Sequence, residues 1–518
     1  MKIFELLKRF DTGMGAALLL FLTSGSSFFF SPYSTDLKTF LPTEKEVNTI
    51  SWFKDLGKGL YPFGVLLVEE FCTFKVLIIS TLLRFLGIIL MWLTVDSYIT
   101  VTQPLIILCG FAFGASSAEL VVRHFLRQSC MKKFSKNSLK HLLIIATGYT
   151  SLSPSFLIQI DLKMFENVDY KRLLMLALFP GLVTFGLAPI ISKESNDDGH
   201  SAFIGVAILL AVILAVKPFT DAHKKTNITL TVLLYSLWVS NLLIGIFYSS
   251  RKRPEEEIEK KVTAEQKGKT RKWRSWSKGN LRVLYSIDFI VIWAAGAVGI
   301  AITTTVIDNL RLVAESLSNE PTNLNRLISL TAFSNFLGKI LSSYFSLFLL
   351  KKKISPSLVL FITLFISTIC LALVAFPILL LNTYLIFFFI SLCHGAQLML
   401  VSMIFKFYFK KIFYFLYSIL RLSVPLFTYV FKIVILSSFY EKSALQQLPP
   451  FQHFDFKNTC IGLECFQKTF TIFSAISGTV AFLWVIVFIR ERKKGTARTE
   501  ENKGVTDSDS PSPSRSLS

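Results

Sequence analysis

Residues 355–378 read SPSLVLFITLFISTICLALVAFPI, with no Asp, Glu, Lys or Arg anywhere in the stretch. About 20 apolar residues are enough for a helix to cross the hydrocarbon of a bilayer. In lipid every backbone polar group must be bonded within the chain, so such a stretch is a helix. Three lysines, Lys351 to Lys353, stand just before it. The pattern of an apolar block bounded by cations recurs in both directions. Candidate spans are 13–31, 51–69, 75–95, 101–122, 141–160, 172–191, 201–216 and 228–249, then 283–305, 327–350, 355–378, 384–405, 412–438 and 469–490. The expected fold is all-α, a polytopic membrane helical bundle of about fourteen spans.

Composition agrees. Of 518 residues 52% are hydrophobic and 17% charged, and the mean hydropathy is +0.55. The net charge of +21 does not point to nucleic acid, because the cations lie between apolar blocks. They report topology, since cytoplasmic loops are enriched in Lys and Arg. Three precede the first span, six lie in 123–140, twelve in 251–282 and seven from Arg490 onward. With an even number of spans, both termini are expected in the cytoplasm. The apolar run after Lys2, Lys8 and Arg9 continues through Phe28-Phe29-Phe30, so it reads as an uncleaved first helix rather than a signal peptide.

The domain reading is an N-terminal six-helix half (1–191), two additional central helices (192–250), a basic cytoplasmic linker (251–282), a C-terminal six-helix half (283–490) and a disordered cytoplasmic tail (491–518). The linker mixes both signs and ends with Trp273 and Trp276 among cations. That suits an anionic headgroup layer as well as it suits a solvated connector.

A weak internal repeat supports two halves. After the first span comes Thr35-Asp36-Leu37-Lys38, and after the ninth Ile307-Asp308-Asn309-Leu310-Arg311. The next helix of each half contains Phe53-Lys54-Asp55-Leu56-Gly57-Lys58 or Ser334-Asn335-Phe336-Leu337-Gly338-Lys339. Secondary transporters are often built from such repeats, with the site near the midplane between them.

An ionisable side chain within a span costs several kcal/mol, roughly 3 on insertion scales, unless it faces protein or water. The candidates are Lys54, Asp55, Lys58, Arg84, Lys339, Arg421 and Lys432, with Asp288, Asp308 and Glu119 nearer helix ends, where solvation is cheaper. Asp55 and Lys58 are three apart and can pair. Arg421 and Lys432 are eleven apart, about three α-helical turns, and share a face; Pro425 between them should kink the helix. Unpaired cations lining a cavity would attract an anion. The competing view has Arg84 and Lys432 snorkelling to an interface or pairing structurally. Gly110 to Ala118 carries small residues at four-residue spacing, which reads as helix packing rather than a site.

Several stretches together resemble the nodulin-like branch of the major facilitator superfamily. They are SGSSFFFSPYSTDLKTF, VNTISWFKDLGKGLYPFG, VIDNLRLVAESL, LISLTAFSNFLGKILSSYFS, Tyr417 to Pro425, and TCIGLECFQKTF. Fungal proteins named as monocarboxylate-transporter homologues share the pattern. The resemblance implies two pseudo-symmetric six-helix halves, here with two extra central helices, and alternating access. In related monocarboxylate carriers a cation at the Lys339 place contacts the carboxylate. The chain departs from the usual pattern after the second helix, where Val68 stands at the expected acid. It departs again in the second-half copy, where Ser342, Ser343 and Ser346 follow Gly338-Lys339.

The expected function is therefore secondary transport of a small organic anion, with proton coupling as an option. Lys339, Lys58, Arg84, Arg421 and Lys432 are the expected substrate contacts, and Asp55 and Asp308 the coupling groups. Alternatives are a carrier of another solute, such as a metal complex or an amino acid, and a non-transporting sensor. A membrane-embedded enzyme is disfavoured because the six His form no cluster, and ATP-driven pumping because no phosphate loop is evident. No metal, cofactor or nucleic acid is expected. The partners are a small molecule and the bilayer, and the protein is expected to be a monomer in the vacuolar or plasma membrane. Cys460 and Cys465 share the last outer loop and are expected to form a disulfide if that loop faces an oxidising side.

Overall fold

The computed structural model describes residues 18–22, 25, 30–38, 41, 43–59, 73–95, 100, 102–115, 136–164, 183, 200–219, 229–240, 282–317, 323–352, 355–376, 383–409, 412–447 and 460–508. Most of span 13–31, span 172–191 except residue 183, the central segment as far as residue 281 and residues 509–518 lie outside them. Among the described residues all regular structure is helical. The first part has α1 (Phe30–Lys38), α2 (Glu44–Gly59), α3 (Thr73–Val95), α4 (Gln103–Ala115), α5 (Lys136–Met164) and α6 (His200–Val216), then α7 (Thr229–Ser240). The second has α8 (Ile287–Asp308), α9 (Leu310–Leu317), α10 (Leu324–Lys351), α11 (Ser357–Ala375), α12 (Thr383–Tyr408) and α13 (Phe413–Tyr429). A π-helical stretch, Val430–Ser437, joins α13 to α14 (Ser438–Gln446), and α15 (Glu464–Ser508) ends the chain.

Six described helices are long and apolar enough to cross a membrane: α8, α10, α11, α12, the joined stretch Phe415–Gln446, and Glu464–Ile486 within α15. They coincide with the six spans expected between 283 and 490. Large apolar side chains such as Leu341, Phe345, Ile362 and Phe365 stand exposed on the outside, as a lipid-facing surface requires.

Two boundaries differ from the sequence reading. The helix that carries the second span begins at Glu44, ahead of the expected span start at 51, because Thr43 and Glu46 form a capping box. The Glu46 amide donates to Thr43 Oγ1 at 3.2 Å and the Thr43 amide to Glu46 Oε2 at 3.3 Å. The last helix runs on to Ser508, through most of the segment assigned to a disordered tail. Glu, Arg, Lys and Ala dominate its first part, and propagating an established helix costs little.

The packing has a two-fold logic. In the first half α2 packs on α4, and in the second α10 packs on α12. The glycines make both approaches close. A Cβ on Gly110 would lie 2.7 Å from the Ile50 carbonyl oxygen, and one on Gly395 2.2 Å from that of Asn335. Between the halves, the second helix of each meets the fifth of the other: α2 packs on α13 and the π stretch, and α5 packs on α10. The central helix α6 is seated against both α5 and α10. There Ser155 donates to the Leu214 carbonyl at 3.2 Å, Lys217 donates to Gln159, and Arg326 Nε donates to the Pro218 carbonyl at 3.1 Å.

Candidate functional site

Ser51, Lys54, Asp55 and Lys58 recur at steps of three and four along α2, so they form one polar stripe. Most of that stripe is buried at the boundary between the halves. It meets two charged groups of the second half. Asp308 is the last residue of α8, and Lys432 lies in the π stretch.

Lys54 Nζ is 2.8 Å from Asp308 Oδ2, and Ser51 Oγ donates to the same oxygen at 3.0 Å. Lys432 Nζ is 2.5 Å from Asp308 Oδ2, donates to Ser51 Oγ at 2.9 Å and pairs with Asp55. Asp55 Oδ1 also lies 3.7 Å from Lys54 Nζ and 3.6 Å from Lys58 Nζ. The Phe30 ring of α1 adds a cation–π contact, 4.9 Å from Lys54 Nζ. The Lys54 and Lys432 side chains are 0% exposed. Each charge is taken out of water at several kcal/mol, and only mutual pairing offsets that. The cluster therefore holds as a unit, three ammonium groups with two carboxylates, and joins both halves.

Several expectations change here. Asp308 is not at a solvated helix end, because α9 begins after Asn309 and folds the end of α8 into the interior. Lys432 does not snorkel; it is in the cluster. Arg421 and Lys432 are not related by three α turns, because π-helical bonding resets the register between them. Arg421 is half-buried on α13. Pro425 removes the amide that would bond the Arg421 carbonyl, and that carbonyl packs near Gly59, 3.3 Å from where a Cβ would sit. Arg84 is buried on α3, which packs against α4. Neither arginine is a member of the cluster.

Lys339 lies outside this cluster. It is buried on α10, and its ammonium donates to the Thr147 carbonyl at 3.0 Å and to Thr150 Oγ1 at 3.1 Å, both on α5. One turn earlier, Asn335 Oδ1 accepts from Ser151 Oγ at 2.8 Å. Asp308 pairs with Lys54 and Lys432. The two inter-helix contacts are thus pseudo-equivalent in place and different in chemistry: ion pairs at α2 and the π stretch, neutral acceptors at α5 and α10. A small cleft of about 30 Å³ opens beside Asn335, between α1, α5, α10 and α12.

Ser51, Thr147 and Thr150 are residues that the sequence reading did not select, and Lys54, a candidate by its place in a span, was given no role there. Lys54 carried a signal, since it shares the α2 stripe with Asp55 and Lys58. The threonines carried none, because hydroxyls are common in spans. Among the described residues no group of three His, Cys, Asp or Glu is placed to hold a metal. Cys460 and Cys465 are joined by a disulfide with Cα atoms 6.0 Å apart. The Cys460 amide donates to the Tyr440 hydroxyl at 3.1 Å.

Residues 12–246 match the family model described as Nodulin-like. No curated protein matches the sequence. Among solved structures, the POT family transporter PepTSo is similar with a TM-score of 0.53 at 12% identity, over 93% of this chain and 98% of its own. A bacterial homologue of the human drug peptide transporters gives 0.54 at 10% identity, over 93% and 98%. The xylose transporter XylE from E. coli, in an inward open conformation, gives 0.55 at 9% identity, over 91% and 94%. At such identities the likeness is one of fold. The first part of the chain is thus similar to the Nodulin-like family, and the chain shares the two-half helical fold of these transporters.

Proposed function

We propose that the chain is a secondary transporter that carries a small organic anion by alternating access between its two halves. The observation that carries this reading is the buried cluster of Lys54, Lys58, Lys432, Asp55 and Asp308. It lies where the halves meet, so any relative movement of the halves must rearrange it. A structural protein gains little from burying such a group, since well-packed apolar side chains often serve stability as well or better. In a carrier, those charges supply attraction for a solute and sites for a proton.

Lys339 is the proposed contact for the anionic group. It stands at the inter-half contact, one turn from the cleft, where its ammonium donates to Thr147 and Thr150. Asp55 and Asp308 are the proposed coupling groups, because loss of either negative charge leaves Lys432 in excess and loosens the boundary. Both termini are proposed to face the cytoplasm, on the Lys and Arg asymmetry. The relatives of known structure are described as peptide and sugar transporters, which favours transport over an enzymatic role.

The test is uptake of labelled organic anions by the purified full chain in liposomes, with Lys339→Gln compared at equal incorporation. Transport by the wild-type chain that falls at least tenfold in the variant supports the reading. Normal transport by Lys339→Gln would remove Lys339 from the site.

A further inference from the structure

Among the described residues, the cleft beside Asn335 is lined by five polar side chains, Ser31, Ser151, Thr331, Asn335 and Ser391, among apolar walls, and by no charged one. Ser391 is 0% exposed and its hydroxyl has no hydrogen-bond partner. A buried hydroxyl left unpaired costs stability, so its presence in a cleft between two moving halves calls for an occupant. The other polar groups narrow what that occupant can be. The Ser151 hydroxyl donates to Asn335 Oδ1 at 2.8 Å, and that of Thr331 donates to the Ile328 carbonyl at 2.9 Å. Both therefore offer acceptor lone pairs to the cleft. Ser31 Oγ already accepts from the Arg311 amide at 3.0 Å. The Asn335 amide nitrogen and the hydroxyl hydrogens of Ser31 and Ser391 are the donors of the set. A ligand hydroxyl, which donates and accepts at once, matches this arrangement. A methyl group matches none of it.

We propose that Ser391 and Asn335 form an uncharged subsite that selects anions bearing a hydroxyl at the end remote from the charge. Asn335 and Lys339 are four residues apart on α10, so their side chains are neighbours on one face. The neighbouring residues Thr150 and Ser151 of α5 serve Lys339 and Asn335 respectively. The charged group and the hydroxyl of one small molecule can therefore be read side by side by two successive turns. The inference rests on the proposed role of Lys339 in binding the charge, and it adds the substrate class.

The experiment compares labelled 4-hydroxybutyrate with butyrate, which have the same carbon chain and differ by the distal hydroxyl. The full chain in liposomes is assayed for uptake of each, and its melting temperature in detergent is measured with each. The expected result is uptake at least fivefold in favour of 4-hydroxybutyrate, with a thermal shift that butyrate does not reproduce. Ser391→Ala deletes one unpaired hydroxyl, so the variant should fold, and it should bring the uptake ratio to about one and abolish the thermal shift. Equal uptake of the two anions by the wild-type chain would overturn the subsite and leave the anion transporter standing. A preference that Ser391→Ala does not change would also overturn it. Uptake of neither anion, with no thermal shift, would overturn the subsite together with the anion reading beneath it.

Discussion

Lys54 Nζ lies 2.8 Å from Asp308 Oδ2 across the boundary between the two halves, and neither side chain is more than 1% exposed. Asp308 also takes Lys432 and the Ser51 hydroxyl, so one carboxylate holds together groups from both halves. Removing one member of a buried pair is worse than removing both, because the survivor is left charged and uncompensated. Asp308→Asn is expected to cost about 3–5 kcal/mol. Adding Lys54→Met should recover part of that loss. Thermal unfolding of the full chain in detergent checks both; an Asp308→Asn protein as stable as wild type would show that the cluster does not hold the halves.

The contact between α10 and α12 rests on two glycines, Gly338 and Gly395. A Cβ on Gly338 would sit 2.0 Å from the Leu392 carbonyl oxygen and 2.9 Å from its carbon. Those atoms are backbone, so the helices themselves would have to separate. Gly338→Ala should destabilise by about 3 kcal/mol or more. Gly478 makes the control, since its Cβ would lie 3.3 Å from the Thr368 Cγ2 methyl, and Gly478→Ala should be tolerated. Comparable melting temperatures for the two variants would refute the argument.

Much of this architecture was legible in the sequence. The six spans of 283–490 followed from hydropathy, because lipid imposes a length and a polarity on each helix. The Leu-Gly-Lys repeat located the two second helices, and the structure gives part of its reason: Gly338 permits the α12 contact. The pairing of charges was less legible. Asp308 looked solvated because its helix ends there, and nothing in the sequence said that α9 would fold that end inward. Lys432 looked placed by α-helical register, but the π stretch resets it. The Ser437 hydroxyl donates to the Lys432 carbonyl five residues back at 2.9 Å and accepts from Asn48 Nδ2 at 3.0 Å. Such a stretch is settled by tertiary contacts to α2, which local pattern cannot supply.

Glu44 offers a test by pH at the start of α2, ahead of the membrane-crossing stretch. Its carboxylate pairs with Lys38, and the side chain is only 13% exposed. Burial raises its pKa above the ordinary 4.5, Lys38 lowers it in part, and Glu441 and Glu315 of the second half raise it further. The net shift is upward. The folded protein thus holds this proton to higher pH than the unfolded chain does. The ionised carboxylate opposes folding above the folded pKa, and that penalty fades as pH falls toward 4.5, where the unfolded carboxyl also begins to take up its proton. Glu44→Gln removes the penalty but also the pair with Lys38, which is 22% exposed and can turn to solvent. The variant should melt above wild type at pH 7.5, and the difference should shrink steadily as the pH is lowered to 4.5. A variant that melts below wild type at pH 7.5 would mean that the Lys38 pair outweighs desolvation at this site.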